Sequence, residues 1–241
     1  MKWEPDDFEL EKSSVWSFPE RGNWATHDSK YRGNCSPYVV RNLLLRYSKE
    51  GDWILDQFVG GGTSLVEAKL LGRNAIGTDI NPAALDRCKE KTAFEHGDAK
   101  IEVREADART LDFVKDSSVD FICTHPPYAD IIKYSDGISG DISLLDYNGF
   151  LEAMEQVAYE AYRVLKKEKY CAFVIGDIRQ KGSVRSLGFD TMKVFKNTGF
   201  KLKEIIIKQQ HNCKMTKKWE KISIEKNFFL LAHEYVFILK K

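Results

Sequence analysis

The sequence predicts an α/β protein: a mostly parallel sheet with helices on both faces and an antiparallel last strand. Seven short apolar runs alternate with helix-like stretches, and parallel neighbours need a crossover, usually a helix, which covers the sheet on both sides. The last two runs are separated by a lysine-rich strip rather than by a clear helix, so they pair most simply as antiparallel neighbours. At 241 residues, 43% hydrophobic and 30% charged, the chain can bury one substantial core, and a single domain over residues 1–241 is expected.

In chain order, the runs at 53–56, 75–80, 101–107, 119–124, 170–178, 202–208 and 234–239 read as strands. Helices are expected at 38–48, 63–71, 83–91, 150–165 and 187–197. In the fourth helix, Phe150, Leu151, Met154, Val157, Ala158, Ala161, Val164 and Leu165 recur close to a 3.6-residue period, so one face should pack on the sheet. Ligands of such a sheet bind at the carboxyl ends of its strands.

No apolar run approaches the roughly 20 residues of a membrane helix, and the first residues lack the apolar core of a signal peptide, so a cytoplasmic protein without a membrane partner is expected. Cys35, Cys88, Cys123, Cys171 and Cys213 lie far apart with no Cys-x-x-Cys pair, which argues against a zinc site or a disulfide framework. Net charge is only +1 but uneven: between 201 and 226, eight lysines face three glutamates. A basic strip of this kind, centred on an insertion at 208–227, can neutralise phosphates, and it can equally be a solvated loop.

The chemistry concentrates in two segments. In the first, Asp56 ends a strand, Gly60, Gly61 and Gly62 form a turn that lets backbone approach a ligand, and Thr63 begins a helix. Asp79 ends the next strand, before Ile80, where a carboxylate can accept both hydroxyls of a ribose. No Gly-Lys-Ser/Thr follows the turn, which excludes a phosphate loop, and Asp56 would repel a pyrophosphate but receive an ammonium group. Asp107, followed by Ala108, ends the third strand, where it can accept an adenine amino hydrogen or merely cap a helix. S-adenosylmethionine suits these groups better than a nicotinamide or flavin.

The second segment is His125-Pro126-Pro127-Tyr128, at the end of the strand 119–124. Consecutive prolines lack N–H groups and fix the backbone, so nearby carbonyls can face an amine. His125 and the Pro126 carbonyl are the expected acceptors for the amino hydrogens of an extruded base, with Tyr128 as its stacking platform.

Asp56-x-Phe58-x-Gly60-x-Gly62-Thr63, Gly77-x-Asp79-x-Asn81-Pro82 and His125-Pro126-Pro127-Tyr128 together resemble the cofactor and catalytic motifs of the amino-methylating DNA methyltransferases, which make N4-methylcytosine or N6-methyladenine. The resemblance covers most of the chain. It implies a Rossmann-like class I methyltransferase fold with a seven-stranded sheet. It also implies S-adenosylmethionine as cofactor, no metal, and DNA, with a base flipped into the site, as partner. Residues 31–37, including Ser36, are similar to the segment that contacts the methionine end of the cofactor, so residues 1–36 are read as an extension ending in that segment. Phe58, Ile80 and Ala108 join the cofactor set by the same resemblance, and residues 233–238 look like the family's closing strand.

Two positions depart from the family. Gln57 stands where it usually has proline, and His125 where it has Asp, Asn or Ser. A neutral imidazole can still accept from an amine through one nitrogen. Target recognition has three candidate segments: the loop 131–147, in which Tyr134 either borders the base pocket or packs, residues 176–185, and the basic strip with Trp219. A homodimer or a partner subunit is compatible with so short a chain. Two alternatives stand beside DNA modification: an RNA base methyltransferase acting on guanine N2 or cytidine N4, and a catalytically silent nucleic-acid-binding relative in which His125 marks lost chemistry.

Overall fold

Alternating burial turns the apolar runs into a sheet with two apolar faces. The structure, a computed structural model, describes residues 2–212 and 216–241. Its elements are β1 (Val15–Trp16), α1 (Pro37–Tyr47), β2 (Trp53–Asp56), α2 (Thr63–Leu70), β3 (Asn74–Asp79), α3 (Pro82–Thr92), β4 (Ile101–Glu105) and β5 (Val119–Thr124). There follow α4 (Tyr147–Val164), β6 (Leu165–Ile175), β7 (Ile178–Gln180), β8 (Ser183–Arg185), α5 (Leu187–Asn197), β9 (Lys201–Gln209), α6 (Thr216–Glu225) and β10 (His233–Lys240). The main sheet runs β1-β9-β10-β6-β5-β2-β3-β4, and only β10 is antiparallel to its neighbours.

Successive strand residues point to opposite faces. Ile54, Phe121, Cys123, Ala172, Val174, Val236 and Ile238 join the core that includes Val39, Leu43, Leu65 and Leu85 of α1, α2 and α3. Leu55, Ile122, Cys171, Phe173, Ile175, Phe237 and Leu239 join the core beneath α4 and α5, with Phe150, Met154, Val157 and Phe195. Helices therefore cover both faces, the doubly wound arrangement that the alternation predicts.

The sheet differs from the seven-stranded expectation by one strand. The eighth, β1, is a two-residue pairing of Val15 with Ile207 and Trp16 with Lys208, too short to leave an alternating pattern in sequence. It is pinned by Trp16, 2% exposed, whose indole donates to the Ser13 carbonyl at 2.8 Å. A second difference is α6, a helix within the lysine-rich strip, none of whose residues is buried. Lys214 and Cys213 lie outside the described residues. The fourth helix begins at Tyr147, three residues early, because the Asp146 carboxylate caps it by accepting from the Gly149 N–H at 2.9 Å. It ends at Val164, where the chain enters β6 directly. Among the described residues, no helix is long and apolar enough to cross a membrane.

Phe150 is fully buried between α4 and the sheet. Replacing it with alanine should cost about 3–5 kcal/mol, read as a lowered urea midpoint at unchanged slope.

Candidate active site

Parallel register brings four strand ends to one edge. Asp56 pairs beside Gly77 of β3, β3 ends at Asp79 opposite Glu105 of β4, and β5, alongside β2, delivers Thr124 and His125. These ends open onto one cleft, walled by Asp56, Gln57, Phe58, Gly60, Thr63, Asp79, Ile80, Asp107, Ala108, Thr124, His125 and Pro127.

The glycine turn shapes its floor. Gly60 and Gly62 have φ of 45° and 81°, the left-handed region where a side chain is strained, and Gly62 caps α2. A β-carbon on Gly60 would sit 2.8 Å from the Tyr31 ring, and one on Gly61 would sit 2.9 Å from the Tyr31 β-carbon. The bare backbone thus lets residues 31–35 lie against the turn, where Thr63 donates to the Asn34 side chain at 2.6 Å. The rings of Tyr31 and Tyr134 stack 6.1 Å apart at 19°, both in the cleft wall. Gly140, Asp141 and Ile142 of the loop 131–147 complete the wall, so this loop, a candidate for nucleic-acid contact, here serves the cleft.

The three acids are held differently. Asp79 accepts from the Gly60 N–H at 3.0 Å and the Asn81 N–H at 2.9 Å, and burial pushes its pKa up. Among the described residues Asp56 has no cationic partner: it accepts from the Thr124 hydroxyl at 2.8 Å, from the Phe58 N–H at 3.0 Å and from the Ser64 hydroxyl. Burial outweighs these bonds and, with the nearby Asp79 charge, raises its pKa to about 6. Asp107 is clamped by the Arg109 guanidinium, with contacts down to 2.6 Å; burial opposes ionisation, but the arginine holds its pKa below the usual range. Beside it, the Gln57 amide donates to the carbonyls of Ala108 (3.3 Å) and Val157 (3.4 Å), while its Oε1 is buried without a hydrogen-bond partner. The departure from proline at this position therefore leaves a buried acceptor without a partner among the described residues.

Four residues expected at the site stand outside the wall. Ser36 precedes α1 and spends its hydroxyl on the Arg21 carbonyl at 3.1 Å, leaving Gly33, Asn34 and Cys35 to line the cleft. Gly62 is turned toward Cys88, whose Sγ lies 3.0 Å from where its β-carbon would be. Pro126 is buried, which leaves His125 and Pro127 as the pair that reaches the cleft. Tyr128 lies behind them rather than in the wall: its hydroxyl contacts His125 Nε2 at 2.8 Å and donates to Glu234 Oε1 at 2.6 Å, and Lys208 binds Glu234 Oε2 at 2.9 Å. Glu234 and Lys208 face each other across β10 and β9. Burial opposes a charge on Glu234, but the His125 ring, charged at the acid pH where Glu234 titrates, the Lys208 ammonium and these bonds bring its pKa down to about 2. Burial depresses the pKa of His125, leaving the ring neutral at pH 7. Nothing in the sequence near 125–128 points to a glutamate 106 residues later, and only strand register reveals it.

The sequence profile of a DNA methylase family, whose members modify amino nitrogens N6 and N4, matches residues 3–90 and 119–241. The chain belongs to this amino-methylating DNA methylase family. A general methyltransferase-domain profile also matches residues 54–133. The tRNA (guanine(10)-N2)-dimethyltransferase of Methanothermobacter thermautotrophicus is 36% identical over 124 residues, covering 51% of the chain and 35% of that protein. The orphan methyltransferase M.BamHII of Bacillus amyloliquefaciens is 32% identical over 131 residues, 53% of the chain and 40% of that protein. The matched segment thus spans well under half of either relative. Among solved structures, an S-adenosylmethionine-dependent methyltransferase of Methanosarcina mazei superposes with a TM-score of 0.58 at 16% identity, covering 83% of this chain and 96% of that one. TrmN of Thermus thermophilus gives 0.56 at 19% identity, with 87% and 50% covered. These likenesses show that the chain has the Rossmann-like class I methyltransferase fold.

An acid whose pKa is higher in the folded than in the unfolded protein destabilises the fold as pH rises between the two values. Replacing Asp56 with asparagine should therefore raise the melting temperature of the unliganded protein at pH 7.5, by up to about 3 kcal/mol in stability. The advantage should shrink as pH falls through about 6 and vanish near 4. Thermal melts across that range check it.

Proposed function

We propose that the chain transfers a methyl group from S-adenosylmethionine to the exocyclic amino group of a base in DNA, N4 of cytosine or N6 of adenine. The observation that carries this reading is a single cleft holding both the glycine turn with Asp79 and, a few residues of wall away, His125 and Pro127. Residues 1–241 act as one unit, with the strip at 208–227 as an insertion.

The residues fit the cofactor. Asp79, fixed by two backbone N–H groups that leave lone pairs free, accepts the ribose hydroxyls. The uncompensated charge of Asp56 attracts the ammonium group. Asp107, half-buried in the wall and holding Arg109, is the acceptor for an adenine amino hydrogen. Phe58, Ile80 and Ala108 supply apolar walls, and the Tyr31 and Tyr134 rings exclude water. S-adenosylmethionine, when bound, supplies an electrophilic methyl group on a positively charged sulfur. His125 accepts an amino hydrogen of the target base, which helps the nitrogen rehybridise and fixes its direction of attack. No strong base is needed beforehand, because the proton can leave after the methyl has transferred.

A basic surface at the same edge supports a nucleic-acid substrate. The hairpin of β7 and β8 follows the end of β6, and α6 joins β9 to β10, so both rise from the edge that carries His125. Arg179 ties them together: its guanidinium lies 4.8 Å from the Phe228 ring centre and donates to the Phe229 carbonyl at 3.0 Å. Lys217, Lys218 and Lys221 are exposed along α6, and Trp219 and Phe229 are 49% and 91% exposed, a mixture of cations and rings suited to phosphates and unstacked bases. The similarity to a tRNA dimethyltransferase favours RNA as the second reading.

Incubation with labelled S-adenosylmethionine and either genomic DNA or total RNA, followed by nucleoside mass spectrometry, tests polymer, base and atom together. Label in N4-methylcytosine or N6-methyladenine is expected, and label only in RNA selects the second reading. Cofactor binding without transfer to either polymer sinks both. His125→Ala should abolish transfer while cofactor affinity, read by calorimetry, stays within about threefold. Because His125 accepts only when neutral, kcat should be level above pH 7 and fall on acidification, with a midpoint below about 6.5.

A further inference from the structure

We infer that Glu234 sets the position of the proton on His125: through the Tyr128 hydroxyl it holds the imidazole as the Nε2–H tautomer and leaves Nδ1 as the acceptor for the target amino group. The last clause rests on the proposed methyl transfer; the tautomer does not.

A count of protons along the chain gives this assignment. The Tyr128 hydroxyl has one proton and two close polar neighbours, Glu234 Oε1 at 2.6 Å and His125 Nε2 at 2.8 Å. A carboxylate can only accept, so the phenol proton goes to Glu234. The phenol oxygen then has only lone pairs for the imidazole, and Nε2 must donate. A neutral ring with its proton on Nε2 presents a bare lone pair at Nδ1, and no hydrogen bond occupies Nδ1 among the described residues. The opposite arrangement, with tyrosine donating to histidine, would set two unprotonated oxygens 2.6 Å apart beside the Lys208 ammonium, which favours the ionised glutamate.

The surroundings lock each member. Lys208 on β9 fixes Glu234 Oε2, and direct register between Lys208 and Glu234 leaves neither free to turn away. The Tyr128 ring packs on the backbone after β6, with Cε2 3.1 Å from where a Gly176 β-carbon would stand. Glu234 is 3.9 Å from His125 Nε2, beyond hydrogen-bond reach, so the hydroxyl bridges them. The other charged group whose field reaches His125 is Arg21, from the N-terminal segment, and like Lys208 it favours the neutral ring. Burial and the adjacent Glu234 charge hold the phenol protonated far above its usual range. Tyr128 and Glu234 are therefore positioning residues that act through His125.

Nitrogen-15 spectra of histidine-labelled protein, with His125→Gln identifying the His125 signals, read the tautomer without any substrate. At pH 7.5 the wild type should show a protonated Nε2 and an unprotonated Nδ1. Glu234→Gln and Tyr128→Phe should each shift the ring toward a tautomer mixture. With nucleic acid, kcat in both variants should fall at least about tenfold, as when the carboxylate orienting a catalytic histidine is lost, while KM for the cofactor stays within about twofold. A protonated Nδ1 in the wild type, or spectra unmoved in Tyr128→Phe, would overturn the inference, and these two measurements decide it even if Glu234→Gln fails to fold. Should the spectra respond as expected while the wild type methylates no DNA or RNA, the hold on His125 stands and the methyl-transfer reading falls.

Discussion

The in-register parallel pairing of β5 with β2 and β6 is the constraint on which the site depends. Strands that run together end together, so residues as far apart in sequence as Asp56 and His125 arrive at one edge without any local signal linking them. The antiparallel β10 adds what a purely parallel sheet does not: its first residues, rather than its last, reach that edge, which is how Glu234 comes to stand behind Tyr128. Both faces of β5 are fully covered, so a slip of one residue would exchange Phe121 and Ile122 between two closed cores. The register that secures the fold therefore also secures the cleft.

That edge is built at the expense of stability. Asp56 is buried among hydroxyls and a backbone N–H with no cation beside it, and Asp79 is mostly buried with only backbone donors. Elsewhere the buried acids are compensated: Glu67, fully buried, binds His27, Arg41 and the Trp24 indole within 3.1 Å. The contrast separates two uses of the same residue type. Glu67 fastens the N-terminal segment onto α1 and α2 and is complete as it stands, whereas no cation answers the charge of Asp56 or Asp79 among the described residues.

The legible part of the molecule was the part with short-range pattern. The runs at 53–56 and 119–124 coincide with β2 and β5, since both are short, largely apolar and almost wholly buried, and the glycine turn is marked by its own composition. β1 escaped because two paired residues have no period, and α6 because a short lysine-rich helix with no buried residue carries little apolar signal. The cleft was legible only as far as motifs reach. Asp79 and His125 both line the cleft, but several bonds around it come from outside the motifs. Arg109 takes the oxygens of Asp107, the Arg21 carbonyl takes the Ser36 hydroxyl, and Glu234 takes the Tyr128 hydroxyl. The loop 131–147 stood as a candidate for target contact rather than as part of the cleft wall, because its folding depends on Asp141 accepting from the Ser143 N–H at 2.8 Å and on Asn81 reaching the Tyr134 carbonyl at 2.9 Å, contacts that leave no trace in apolar pattern.

The histidine at the head of the tetrad follows the same logic. An aspartate, asparagine or serine oxygen keeps lone pairs available in every orientation, so a family built on those residues needs no device to choose among protonation states. A neutral imidazole has one lone pair, and whether it faces the substrate depends on which nitrogen holds the proton. Placing histidine there is workable only if something outside the tetrad makes that choice. The tetrad's own tyrosine is the only member with a proton to share, and a phenol can settle the matter only when a stronger acceptor claims that proton. Glu234, kept ionised by Lys208, is such an acceptor, which makes the departure at 125 and the ion pair on the last two strands two parts of one arrangement.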